Sequence, residues 1–221
     1  MGVILSKQHG DVAVLHFDDG KANAVGLETL AAFDAALDEA EGTAKAIVLI
    51  GRPGRFCAGF DLRELRGDTL RPLLSGGARL LARLLGHPQP VTIACTGHAL
   101  GLGGLLLLAG DHRIACAGDY KVSLNEVAIG LAMPEFGVAL VEERLSKRHT
   151  TRALALAEVY SPAGAVDAGF LDRMCPQETL LEEAIADGAR FAATLDGEAH
   201  TGTKRRLRGP TIERILSSVG G

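Results

Sequence analysis

The sequence predicts an α/β domain followed by a smaller helical part, and three observations carry that prediction. Short apolar runs that read as buried strands alternate with longer segments of helical periodicity through about residue 130. After Pro134 the periodicity becomes wholly helical. Glycine is abundant, 28 of 221 residues, while aromatic residues make up only 4%, a balance that suits tight turns and close backbone approaches.

The elements follow in order. Asp11–Phe17 alternates apolar residues as a half-buried strand does. Leu27–Glu41 places Leu30, Phe33, Ala36, Leu37 and Ala40 at helical spacing. Ala46–Ile50 is a short, fully apolar run, as buried strands are, and Val91–Cys95 reads as another buried strand. Between them Leu70–Leu85 reads as a helix stopped by Gly86-His87-Pro88. Leu102–Ala109 is apolar all round, the signature of a buried helix, and Arg113–Cys116 and Lys121–Leu124 are further short strands. Helices are then expected over Val138–Leu145, Thr151–Leu156, Ala163–Ala168, Thr179–Leu195 and a brief last one from Pro210 to Val219. No Pro- or Ser-rich linker separates the parts, which are expected to pack together as a core over 1–160 and a helical region over 161–221.

Composition narrows the function. Apolar residues make up 47%, charged residues 23%, and the net charge is −4, so no global basic footprint for nucleic acid is present. The one basic cluster, Lys204, Arg205, Arg206 and Arg208, reads as a solvated face before it reads as an anion site. The longest apolar run, Leu105 to Ala109, is too short to span a bilayer, and no export signal is expected at Met1. Cys57, Cys95, Cys116 and Cys175 show neither CxxC spacing nor matching histidine pairs, so neither a metal site nor a disulfide framework is expected, and a reducing cytoplasm is the natural compartment.

Three segments carry candidate chemistry. Gly51 through Leu62 follows a buried strand and leads into Arg63-Glu64-Leu65, read as the start of a helix with Asp61 at its cap. It is either an ordinary loop or one that offers free N–H groups to an oxygen gaining charge. Thr96 through Gly104 puts a glycine cluster, Gly101 included, at the start of a buried helix. That suits an oxyanion or, alternatively, close helix packing; it does not fit a dinucleotide fingerprint, because Leu106 holds the last glycine position. Ser123 through Gly130 holds one acidic residue, Glu126, within an apolar stretch, where it is as readily a surface or ion-paired group as a catalyst.

Together these segments resemble the enoyl-CoA hydratase/isomerase (crotonase) family. Gly20-Lys-Ala-Asn-Ala24 looks like its early turn, and Phe56-Cys-Ala-Gly-Phe-Asp-Leu62 like its AGxDL loop. Gly97 through Asp111 follows a GxAxGGGxxLxxxxD pattern without a gap, with Leu102 where a glycine is usual. Pro162–Leu171, leading into Gly169-Phe-Leu-Asp172, and the late pair Thr203-Lys204 extend the likeness over nearly the whole chain.

The resemblance implies a spiral of ββα units with a C-terminal helical trimerisation region, and homotrimers or hexamers. It implies an acyl-CoA thioester substrate and no separate cofactor. The thioester oxygen would lie between the backbone N–H groups of Phe60 and Leu102, with Glu126 as acid/base. Lys21, Ala22, Ala58, Asp61, Leu62, Gly101 and Glu135 would line the substrate and CoA site. Hydratases of the family usually carry two glutamates; the first position falls on Leu105 here, and Leu124-Asn125-Glu126 looks like the isomerase form of its segment. Δ3–Δ2 enoyl-CoA isomerisation is therefore expected ahead of hydration. A non-catalytic acyl-CoA-binding homologue, or a different crotonase chemistry using Glu135, are the alternatives.

Overall fold

A computed structural model describes residues 2–220. Its main sheet has six strands. They are β1 (Ile4–His9), β2 (Val12–Phe17), β4 (Ala46–Gly51), β7 (Val91–Cys95), β9 (His112–Cys116) and β11 (Arg173–Cys175), in that spatial order. Only β1 and β2 are antiparallel; every other neighbouring pair runs parallel. β4 and β7 are buried at every residue, which is why their sequences show no apolar/polar alternation; Thr92 of β7 is the one hydroxyl among them.

Two small parallel ladders sit beside this sheet. One is β10 (Val122–Ser123), β8 (Gly97–Leu100) and β5 (Gly54–Cys57); the other is β3 (Ala24–Val25) with β6 (Gly59–Phe60). Three helices complete the first half: α1 (Leu27–Thr43), α2 (Leu70–Gly86) and α3 (Leu102–Ala109). All eight α3 residues are buried. Five follow: α4 (Glu135–Arg144), α5 (Lys147–Leu154), α6 (Pro162–Ala168), α7 (Leu180–Thr194) and α8 (Gly197–Ser217). The core is one cluster running through both halves of the chain, from Val12 to Ile215.

The expected elements form, with four corrections. β1 is an edge strand whose four central residues are exposed, so it carries no apolar alternation to read. The region after Pro134 is not wholly helical: β11, only three residues long, completes the main sheet, and α7 lies against β2, β4 and β7. Arg63-Glu64-Leu65 is a turn and not a helix. Asp61 closes it by accepting the Arg63 N–H at 2.9 Å, and Glu64 instead caps a different helix, accepting the Leu27 N–H of α1 at 2.9 Å.

The fourth correction is the last helix. It is not brief; it starts at Gly197, where the Asp196 carboxylate accepts the Ala199 N–H at 2.8 Å, and runs through Pro210. Apolar periodicity hides its length because two of its three buried residues are basic. Lys204 and Arg208 are each 5% exposed, and both donate to Asp111 at 2.7 Å. The basic run is therefore not a solvated face as a whole: Arg205 and Arg206 face solvent, while Lys204 and Arg208 hold α8 to the mouth of β9.

Candidate active site

The site is built where the small ladders meet the start of α3. Asn23, at φ 57°, is fully buried. Its amide donates to the carbonyls of Phe17 (2.7 Å) and Phe56 (3.1 Å), and its own carbonyl accepts the Ala58 N–H at 3.2 Å. That bolt holds the early turn against β5 and sets β3 beside β6 in the register Ala24–Gly59 and Val25–Phe60. The turn itself is closed by Asp19. Burial pushes its carboxyl up, but N–H donors from Asn23, Lys21 and Ala24, with Arg52 nearby, outweigh that and hold it below the usual range.

In a strand, successive N–H groups point to opposite sides. The Asp61 N–H donates to Val25 at 2.9 Å, so the Phe60 N–H points away from β3. On that side lies the start of α3: a Cβ on Gly59 would stand 3.0 Å from the Leu100 carbonyl oxygen and 3.5 Å from the Leu102 nitrogen. Leu102 is the first residue of α3, whose leading N–H groups have no intrahelical acceptor. Two main-chain donors are thus free on adjoining elements, one of them at the positive end of a buried helix. Gly101, at φ 53° and ψ −121°, makes the turn that aims the second donor, a conformation glycine alone adopts readily.

The glycine cluster also serves close packing. A Cβ on Gly103 would lie 2.3 Å from the Cys57 carbonyl oxygen. Tight packing, one of the two readings the sequence offers for the cluster, is therefore present beside the two main-chain donors.

These groups open on a cleft of about 340 Å³. Its walls are apolar, from Leu65, Leu70 and Leu74 on one side to Leu105, Leu131 and Phe136 on the other. Among the described residues Glu126 is its one ionisable lining group. Oε2 of Glu126 is buried without a hydrogen-bond partner, and burial raises its carboxyl above the ordinary 4.5. The other oxygen approaches the turn: a Cβ on Gly101 would sit 3.3 Å from Glu126 Oε1 and 3.3 Å from Asn125 Oδ1. Glu126 stands just before a 3-10 turn, Val127–Ile129, in which its own carbonyl accepts the Leu131 N–H at 2.9 Å.

The structure brings most of the expected residues together. Phe60, Leu102, Glu126, Ala58, Leu62 and Gly101 line this cleft. Lys21, Ala22 and Asp61 line a separate, neighbouring surface depression, across the β3–β6 ladder. Asp61 is paired there with Arg63 at 2.6 Å, and that side-chain hydrogen bond holds its carboxyl below the usual range. Leu102 and Leu105 are each 1% exposed and both face the cleft, so the first-glutamate position is an apolar wall.

Glu135 is a correction. Its neighbours Pro134 and Phe136 line the cleft, but Glu135 is exposed and pairs with Arg214 of α8 at 2.6 Å. It caps the first turn of α4 electrostatically, as a surface glutamate at a helix N-terminus does. Asn125, Leu70, Leu74 and Leu131 line the cleft without having been singled out. Only the Leu70/Leu74 spacing, one helical turn apart, hinted that the two share a face.

Comparison with known proteins agrees with this geometry. The family model for enoyl-CoA hydratase/isomerase matches residues 7–203. The chain is 29% identical over 215 residues to human mitochondrial enoyl-CoA delta isomerase 1, covering 93% of this chain and 70% of that protein. It is 30% identical over 188 residues to a probable enoyl-CoA hydratase of Bacillus subtilis, covering 82% and 72%. The apo structure of a Mycobacterium tuberculosis enoyl-CoA isomerase superposes with a TM-score of 0.96 at 35% identity, covering 100% of this chain and 97% of that one. A six-stranded, mostly parallel sheet, two main-chain donors and a half-buried glutamate beside an apolar cleft thus occur in a chain that belongs to the enoyl-CoA hydratase/isomerase family of crotonase-fold enzymes.

Proposed function

We propose that this enzyme is a Δ3–Δ2 enoyl-CoA isomerase in which Glu126 alone carries the proton. The observation that carries the proposal is a cleft with a single ionisable group, Glu126, faced by an apolar Leu105. The Glu126 carboxylate takes a proton from C2 of a 3-enoyl thioester. The C2–H electron pair moves toward the thioester oxygen as a dienolate, which the Phe60 and Leu102 N–H groups stabilise. Each such donor contributes about 3 kcal/mol in measured analogues. The protonated Glu126 then returns its proton to C4, and the double bond settles between C2 and C3. Atoms balance with no water consumed.

Hydration needs a second polar group to hold and activate water, and Leu105 supplies none. The raised carboxyl suits a group that must both accept and return a proton. The CoA part would lie over the depression lined by Lys21, Ala22 and Asp61, reached from the cleft past Ala58 and Leu62. We also propose assembly into trimers, which would cover exposed Leu156, Val159 and Leu207; sedimentation at the mass of one chain would remove that part. A reducing, cytoplasmic setting suits four buried cysteines, all unpaired. No helix is long and apolar enough to cross a membrane among the described residues.

The test is Glu126→Gln assayed with 3-enoyl-CoA and with 2-enoyl-CoA. Conjugation of the first without hydration of the second is expected from the parent enzyme. The variant is expected to lose about 10²–10⁴-fold in kcat. Undiminished turnover by Glu126→Gln would refute the assignment, and efficient hydration would replace isomerase by hydratase.

A further inference from the structure

The cleft shares two wall residues with a second space. Its wall on the α2 side is Leu70 and Leu74, and both residues also line a second depression of about 280 Å³. That depression lies between α2 and the end of α8, bordered by Arg71, Ser75, Ser218 and Val219. Leu70 is 39% exposed and Leu74 only partly buried, so neither is locked into the core. The apolar part of the second depression is Leu70, Leu74 and Val219. Leu70 and Leu74, one turn apart on α2, are therefore common to the wall of the reaction cleft and that of the second depression.

We infer that Leu74, with Leu70, is the septum that sets the acyl chain length this enzyme accepts. The inference rests on the acyl-CoA reading above and names the substrate class within it: an unsubstituted, unbranched hydrocarbon tail. Beyond Glu126 and Asn125 the cleft offers that tail no polar partner, so a hydroxylated or carboxylated tail would be desolvated without compensation. A tail short of the septum gains contact with every added methylene. A longer tail must displace Leu74 or stop. Removing the Leu74 side chain joins the two spaces, and the tail continues between α2 and α8.

Equilibrium binding of saturated acyl-CoAs from four to fourteen carbons tests this without any turnover. With the unaltered enzyme, affinity should rise about fourfold per methylene until the tail meets the septum, then level off. Leu74→Ala should move that plateau to chains at least two carbons longer. Leu74→Trp should move it to shorter chains. Circular dichroism melting checks that both variants fold, and the opposite directions of the two shifts exclude a merely structural effect. A plateau at the same length in all three proteins, or no plateau in the unaltered enzyme, overturns the inference. Turnover of 3-enoyl-CoA by the same preparations is read separately: its absence would sink the isomerase reading and leave the binding plateau to judge the septum.

Discussion

Replacing Asp111 by Asn should destabilise the protein severely and in a pH-dependent way. Asp111 receives Lys204 Nζ and Arg208 Nη1, each at 2.7 Å, and its carboxylate also accepts the Val91 N–H at 2.8 Å. The two cationic side chains are 4% and 6% exposed. Asn keeps the shape but removes the charge, and turns an N–H₂ donor toward at least one of two cationic donors. Breaking a buried ion pair from one side costs about 3–5 kcal/mol, because the remaining charge has no counterion. For a chain of this size each kcal/mol moves the midpoint about 2–4 °C, so the melting temperature should fall by roughly 6–20 °C at pH 7. Lys204 adds the pH dependence. Burial already lowers its ammonium pKa below 10.5, with Asp111 opposing that shift. A lysine whose folded pKa is depressed weakens the fold while protonated, and that cost fades as pH rises from its folded value toward 10.5. Without Asp111 that value falls further, so the deficit should narrow between pH 7 and pH 9.5. It should not vanish, since Arg208 stays charged. His87, whose carbonyl accepts from Lys204 at 2.9 Å, has an imidazole lowered to about 4 by burial and by Lys204, so it stays neutral throughout. Scanning calorimetry at the two pH values is the assay. An unchanged melting temperature at pH 7, or a deficit that widens with pH, would refute the reasoning.

Further outcomes follow from the cleft. Because burial raises the Glu126 carboxyl, ionising it costs stability that appears as pH rises above the unfolded value near 4.5. Glu126→Gln should therefore melt higher than the parent at pH 8, with the gap closing toward pH 4; a gap that grows on acidification would contradict this. In the parent enzyme the acid limb of kcat/KM should lie above 4.5, and a limb at or below it would show Glu126 to be solvated. Gly101→Ala must force a side chain into φ 53° with its Cβ 3.3 Å from the Glu126 carboxylate, so it should cost about 1–3 kcal/mol and most of the activity; normal kinetics would mean the turn does not aim the Leu102 amide. Glu135→Gln should leave kcat within about twofold, because Glu135 faces Arg214 and not the cleft; a large loss would revive a second carboxylate.

Much of this protein is readable from its residues in order. A buried parallel strand such as Ala46–Gly51 is covered on both faces and reads as an apolar run, and α3 is apolar all round, so pattern alone finds them. Glycines at Gly59 and Gly101, followed by the lone acidic Glu126, mark the site because backbone approach and an isolated carboxylate leave local traces. Tertiary structure decided what has no local trace. Lys204 and Arg208 look like surface charge until Asp111, some ninety residues earlier, meets them, and no periodicity reports a counterion so far along the chain. Glu135 and Glu126 are equally acidic in sequence; only the direction each side chain takes, toward Arg214 or into an apolar cleft, separates a surface ion pair from a carboxylate inside the cleft. The physical reason is the same in each case: burial and pairing are properties of neighbours in space, and they set the charge a side chain can carry.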